Sequence, residues 1–546
     1  MNKKALTFIL VIFLLPAGLF ARPFSTPYDM IPAGDPILED LRFLSLETAR
    51  PFLSFTPPLP PHNIKQFLNS IDTSTLSAPA LQAFDRIERR LHQERPLKLS
   101  FDHFSVSLNI DSTIEARARL NENILWYPLH PQIPAVLSLP VRMNFFSFLQ
   151  LYFDPAVRKL PGHYLAAGRF GMNISSRTLD FDAHFPHRAF LAAGGPWWNF
   201  QIGRDRLSYG TGRMGNLVIS DNSEYYDFLR FSFFSRVFKY SSLIIHTPLK
   251  ITDSLYVIQN PESLRNSIHR YFYLHRFDVN LFDVVSISFM EGLMAGNSPL
   301  AIRYLNPMMI FHSFFSGYDY GTWADTEHLT HSKLSGSIMG LELNWNIMRN
   351  LAFHSQFVMN QFALPGERRA RLQPPNGLGF MTGLQYSHSF NVWASSFFFE
   401  FINTSPFLYI SSSPFASFIH MRNAPSSPDG KLYSFFGMPR DSMVFTLGGR
   451  FFRDDIMQIS GIFSVQLQGE HGIRYDFEIS EAAFNRRSPS GVAQQNYILS
   501  ISAQRRLSSL FSISGSVTGI FSRNNNHSPG SNETGLQASL AVSFSY

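Results

Sequence analysis

The chain contains no cysteine in 546 residues. That excludes a disulfide scaffold, thiolate catalysis, thiolate metal sites and a lipid-modified cysteine after export. Charge is scarce as well: Asp, Glu, Lys and Arg make up 16%, against about 25% in an average soluble protein. Past the N-terminal region no run of about 18 apolar residues occurs, so the sequence encodes no spanning helix. Local signatures of a serine hydrolase (GxSxG) or a zinc centre are missing, and neither a catalytic metal nor a cofactor is implied. Aromatic residues, by contrast, are abundant, at 15% with 55 Phe. Many aromatics, few charges and no long apolar run describe hydrophobicity dealt to alternate positions, which is how transmembrane β-barrel strands are written.

The alternation is readable directly. In the final GLQASLAVSFSY, Leu536, Ala538, Leu540, Val542, Phe544 and Tyr546 share one face. Gln537, Ser539, Ala541, Ser543 and Ser545 share the other, the period of a two-faced strand. SMVFTLGGRFF places Met443, Phe445, Leu447 and Phe451 on one side. MQISGIFSVQLQGEH separates Met457, Ile459, Phe463, Val465 and Leu467 from a row of Gln and Ser interrupted only by Ile462. A water-facing sandwich has the same period. The aromatic load, the terminal aromatic and an export-type leader weigh toward a membrane barrel, since only helices and closed barrels satisfy their backbone in lipid.

That leader is MNKKALTFILVIFLLPAGLFA: two lysines, a short apolar run and small residues, read as a signal peptide over residues 1–21. Residues 22–97 carry helical spacing. Behind Asp35 as N-cap and Pro36, the residues Ile37, Leu38, Leu41, Leu44 and Leu46 mark one helix. A second presents Ile64, Phe67 and Leu68, and a third Leu81, Phe84, Ile87 and Leu91. The expectation is a small helical periplasmic segment. Residues 98–546 are then an antiparallel barrel of about 16–18 strands. Its loops are expected at Pro128–Pro134, Ser316–Ser332, Ala363–Gly377, Met421–Lys431 and Arg523–Thr534.

Two central stretches carry more than alternation. The first, Trp197 to Phe231, holds Gly203, Arg204, Asp205, Gly210, Gly212, Gly215, Leu217, Ser220, Asp227, Leu229 and Arg230. The second, His269 to Phe311, holds His275, Arg276, Asp278, Glu291, Gly296, Tyr304, Asn306 and Pro307. In order and content these resemble the capsule-assembly Wzi-like family of outer-membrane proteins, and the N-terminal GDP…LR.L start fits it too. The resemblance implies a barrel with a small helical periplasmic domain. It also implies a lectin that helps tether capsular polysaccharide to the cell surface.

Parity along the strands sorts the side chains of both stretches. Trp198, Phe200 and Ile202 take the lipid face, leaving Asn199, Gln201, Gly203 and Asp205 to the lumen. Arg204 and Arg206 inherit the lipid parity, so the strand is expected to end, or bulge, near Gly203. Gly203–Gly215 then becomes an irregular element that narrows or plugs the lumen. In the second stretch Arg270, Arg276, Asp278 and Asn280 point inward, and Glu291 is expected at a strand end beside Arg276 or Arg303. The candidate ligand-binding or lumen-network residues are therefore Arg204, Asp205, Arg206, Tyr209, Arg270, Arg276, Asp278, Glu291 and Arg303. Such rows pair with one another or bind anions bidentately. Trp197 and Trp198 suit an interfacial girdle, and Trp323 a sugar platform.

Taken together, the sequence points to a non-catalytic outer-membrane barrel that binds or anchors surface polysaccharide. A porin-like barrel for small solutes is the alternative, and an outer-leaflet hydrolase a third. The expected partners are surface polysaccharide, lipopolysaccharide and other outer-membrane lipids, and the barrel assembly machinery. The net charge of +6 suits acidic glycans and lipid phosphates alike. No nucleic-acid partner is expected outside the cytoplasm.

Overall fold

The computed structural model describes residues 28–92, 97–121, 124, 133–159, 169–174, 181–182, 186–221, 223–250, 269–296, 299–311, 335–360, 376–411, 414–423, 431–454, 456–473 and 487–546. The leader, Trp323, the loop Ser316–Ser332 and most of the expected loops Pro128–Pro134 and Ala363–Gly377 lie outside them. From Arg188–Gly194 onward, successive strands pair antiparallel with their sequence neighbours. Trp393–Thr404 is the exception: it pairs with Ser442–Arg453, past a small separate hairpin of Ile419–Asn423 and Lys431–Phe435. The last strand, Asn532–Ser545, pairs with Asp111–Arg119 and closes the wall. The sheet holds 23 strands. Two of these, Leu97–Ser100 and Phe170–Met172, are short additions, and 104–119, 137–145 and 149–157 each run on as one interrupted strand. The closed wall therefore has 18.

Side-chain parity follows the sequence. On the final strand Leu536, Leu540 and Val542 are exposed on the outside, while Ser539 and Ser543 turn inward. Phe445, Leu447, Phe463, Leu499 and Val517 continue the same exposed apolar surface around the wall. Apolar area of that extent needs a lipid solvent.

One rim is made of short turns, such as 235–237, 282–284, 349–350 and 391–392, and it also carries both ends of the barrel. In outer-membrane barrels this is the periplasmic rim. There Tyr546 exchanges both backbone hydrogen bonds with Ile110, at 2.9 and 3.0 Å, completing the seam. Deleting Tyr546, or appending charged residues after it, is expected to lower the folded fraction in outer membranes severalfold, read from heat-modifiable migration. Unchanged assembly would refute that role for the terminal aromatic.

Two loop assignments need correction. The expected loop Met421–Lys431 begins and ends inside the small hairpin's strands. The expected loop Arg523–Thr534 is shorter, because Asn532 already pairs with Arg523. Polar Asn and Ser residues there still face a partner strand, so loss of apolar alternation did not mean loss of pairing.

Three helices occupy the periplasmic rim: α1 (Ile37–Thr48), α2 (Pro61–Leu68) and α3 (Ala78–His92). Helix α1 starts one residue later than the Pro36 expectation, yet the Asp35 carboxylate still accepts the Ile37 N–H at 3.1 Å. The buried stripe of α3 runs Ala80, Ala83, Ile87, Leu91, and Leu81 is exposed. The two alanines, rather than Leu81, lie in the core shared with α1, where small side chains suit close packing. The helices share a core with Ala394 and Phe452 of the wall. Arg86 ties them down by bridging Asp40 of α1 and Asp454 in a wall turn.

Candidate functional site

After Asp205 the chain leaves the wall and folds into the lumen, returning at Tyr226. Residues 207–220 are almost wholly buried. The segment hangs on inward side chains of the far wall. Glu400 accepts the backbone N–H groups of Arg213 and Met214, each at 2.9 Å, and His354 Nε2 lies 2.9 Å from the same carboxylate. Gln356 accepts the Leu217 N–H at 2.9 Å and donates to Asn216 at 2.8 Å. Gly210 has φ +136, and a Cβ there would sit 2.0 Å from the Gln356 amide nitrogen, so this position admits only glycine. From below, Arg213 grips Glu39 of α1, and Arg42 donates to the Thr211 carbonyl at 2.6 Å. Plug, wall and helices are one hydrogen-bonded unit.

Above this polar layer lies a dry core. Leu207, Leu217, Val218 and Ile219 of the plug pack with Met290, Ile338, Val358 and Met381 of the wall, and with Leu408, Phe418 and Phe436. His420 of the small hairpin is buried there against Tyr226 and Phe436, sharing a hydrogen bond with Thr247 Oγ1. Burial, reinforced by the positive charge of Arg270, pushes its imidazole down to about 3. The unfolded chain takes up this proton below about pH 6.5 and the folded one does not. Stability from the neutral imidazole is thus full above pH 6.5 and falls with acidification, by about 1.4 kcal/mol per pH unit, until about pH 3. Urea midpoints measured from pH 7 to 4 should show that slope for the wild type and a shallower one for His420→Asn.

The predicted residues resolve into three groups. At the outer mouth, Asp205 is fully buried and paired bidentately with Arg188 at 2.7 and 3.2 Å. Arg206 donates to Asp221, and Tyr209 is buried within the plug, bridged to Ile219. The strand does not bulge at Gly203: its register runs unbroken to Asp205, two residues on, where the strand ends. Arg204 keeps its outward parity because Asp227, beside it on the next strand, takes it bidentately at 2.7 and 2.9 Å, and its guanidinium covers the Tyr225 ring. The cost of an outward charge is met by a local partner rather than by a register shift.

In mid-lumen, Arg276 and Asp278 are fully buried and joined at 2.8 Å. Glu342, absent from the sequence-based set, completes the group at 3.1 Å from Arg276. Arg270 instead binds backbone: it donates to the carbonyls of Thr247, Phe415, Ser417 and Ile419.

The third group lies outside the barrel. The strand Val285–Gly296 runs well past Glu291, which faces outward opposite His275 and is only 4% exposed. Glu291 is therefore separated by the wall from Arg276, one of its two expected partners. Residues 299–311 lie over it as a strap. The Tyr304 carbonyl accepts from His275 Nε2 at 2.8 Å, Phe311 packs at a tilt against that ring, and Ala301 N–H donates to the Tyr273 hydroxyl. Arg303 sits on this strap, donating to the Tyr304 hydroxyl at 2.7 Å. Chain, not lipid, covers the outward polar residues.

Sequence reasoning also missed Asp182, His187 and Glu224, whose potential ligand atoms all lie within 4.8 Å of one another. Arg422 sits among them, hydrogen-bonded to Glu224 and 3.7 Å from Asp182. These residues come from three separate outer connections with no motif spacing. Glu342 and Glu400, however, were legible: each is the one charged residue of its strand and stands at inward parity, in LELNW and FFFEF. Trp197 is exposed at the periplasmic rim, stacked on Phe233.

No family model matches the sequence, and no curated protein sequence matches it. Solved structures do. The chain is similar to the Escherichia coli outer-membrane protein Wzi, described as a carbohydrate-binding β-barrel involved in group 1 capsule assembly. Identity is 12%, the TM-score is 0.56, and the match covers 94% of this chain and 99% of that one. It is more distantly similar to OccD3 of Pseudomonas aeruginosa, at 9% identity, TM-score 0.40, covering 81% and 91%. An anion-selective porin of Comamonas acidovorans matches at 10% identity, TM-score 0.34, covering 81% and 100%. The chain is an antiparallel transmembrane-type β-barrel that shares the fold of the capsule-assembly barrel Wzi along nearly its whole length.

Proposed function

We propose that this barrel binds or anchors surface polysaccharide in capsule assembly and performs no catalysis. The observation that carries the reading is that likeness in fold to a carbohydrate-binding capsule barrel embraces helices and barrel together. The ordered motifs of the two central stretches support it. So does the lumen between Arg188 and Arg453, filled by the chain's own plug, dry core and paired charges. A barrel occupied in this way serves as a rigid platform rather than a pore. The charged residues Asp205, Arg206, Arg276 and Asp278 act as struts of that platform, and glycan contact falls to surfaces they hold in place.

The test is co-sedimentation of the purified, folded protein with capsular polysaccharide, backed by a glycan array. Saturable binding of at least one surface glycan is expected. No binding to any would overturn the proposal, and steady conductance in planar bilayers would favour the porin alternative.

A further inference from the structure

The plug leaves one side of the lumen unfilled. On the strands Met457–Gln468, Gln494–Arg506, Phe511–Arg523 and Asn532–Ser545, the inward side chains are mostly Ser, Thr and Gln. Ser460, Ser500, Ser502, Ser516, Thr518 and Ser539 point inside, between lipid-facing neighbours such as Leu499, Val517 and Leu540, yet they are only half-buried. On the opposite wall the inward Asn199, Ser241 and Gln356 are at most 1% exposed. Solvent reaches an inward side chain only through space inside the barrel, so this arc borders a water-filled void.

Exposure along the arc is graded. Near the periplasmic rim Gln504 is exposed. Toward the outer rim Ser464, Asn496 and Ser522 are buried, and Ile124 packs with Ile498 and Ile520. The void is a cleft, open to the periplasm and closed above by an apolar constriction.

Its chemistry is narrow. From Gln458 to Gln468 and from Ser512 to Thr518 no inward residue is charged. Hydroxyls and amides both donate and accept. Some meet across strands, Ser500 with Thr518 at 2.9 Å and Ser516 with Ser539 at 2.8 Å, while the buried Gln466 amide nitrogen and Gln537 amide oxygen have no partner among the described residues. Charge stands at its margins, with Arg450 opposite Ser460, Arg506 opposite Ser512 and the buried Arg117 opposite Ser539; between them an ion finds no counter-charge and an apolar ligand no dry wall. A polyhydroxylated chain finds donors and acceptors in register.

We propose that this serine-lined arc is a periplasm-facing cleft that seats an uncharged glycan segment. The proposal deepens the polysaccharide reading and rests on it for ligand class. Because the protein has no cysteine, single-cysteine variants report without background. Ser516→Cys and Ser502→Cys in the folded full-length protein should react with a charged methanethiosulfonate about a hundredfold faster than Ser241→Cys or the lipid-facing Val517→Cys. Neutral glucan, mannan and chitin oligosaccharides are the probes for protection; at least one should slow labelling of Ser516→Cys about tenfold, while dextran sulfate should not.

Equal labelling of Ser516→Cys and Ser241→Cys would abolish the cleft, whatever the capsule binding. Fast labelling that no neutral oligosaccharide slows would overturn its ligand. Labelling slowed equally by dextran sulfate would also reject an uncharged ligand. Retained capsule co-sedimentation alongside any of these results refutes this inference alone, and lost co-sedimentation with intact protection refutes only the surface reading.

Discussion

Excising Leu207–Ser220 and joining Arg206 to Asp221 through a short glycine linker should turn a barrel with little steady conductance into a conducting one. The segment crosses the lumen and holds itself there by contacts to the far wall at Glu400, Gln356 and Glu342, with His354 set against the Glu400 carboxylate from behind. Single-channel recording in planar bilayers should show a conductance gain of at least tenfold. Glu400→Ala is the gentler version: it removes the acceptor for two backbone N–H groups while leaving every strand pairing intact. It should yield brief openings rather than a permanent pore. If both variants conduct no better than the wild type, the plug is not what closes the barrel.

Replacing Arg276 by Met should cost about 3–5 kcal/mol of folding stability. Its guanidinium binds Asp278, Glu342 and the Ser288 hydroxyl, at 2.8, 3.1 and 2.9 Å, and the side chains of both acids are fully buried. The apolar replacement fills the volume but strands two carboxylates away from water. Adding Glu342→Gln should recover part of the loss, because one of the two charges is then gone. Urea midpoints of the folded band on unheated gels give the measurement. A loss below about 1 kcal/mol would mean that neighbouring cations such as Lys239 neutralise the acids without Arg276.

Much of this architecture could be read from the chain because one constraint, lipid outside and polar inside, repeats on every strand. It set the parity of Asn199, Asp205, Arg276 and Asp278, and the presence of the inward segment after Asp205. What escaped were contacts between segments far apart in sequence. Arg204 read as an anomaly because its answer, Asp227, lies on the neighbouring strand. Glu291 read as a strand end because the strap over it begins only after the strand has finished. The open arc escaped for a different reason: serines that line a void and serines that pack against a plug have the same period.

The helices at the rim also set a timetable. Arg86 meets Asp454, and Phe43 packs edge-on against Phe452, residues that emerge from synthesis hundreds of positions later. The seam at Ile110 and Tyr546 forms only with the final residue. Contacts so distant in sequence are slow to find, and once the wall has sealed, the helices and the plug have no wide entrance left. Their docking must therefore precede or accompany closure, so the assembling sheet curls around cargo already in place, as a cooper raises staves about a form.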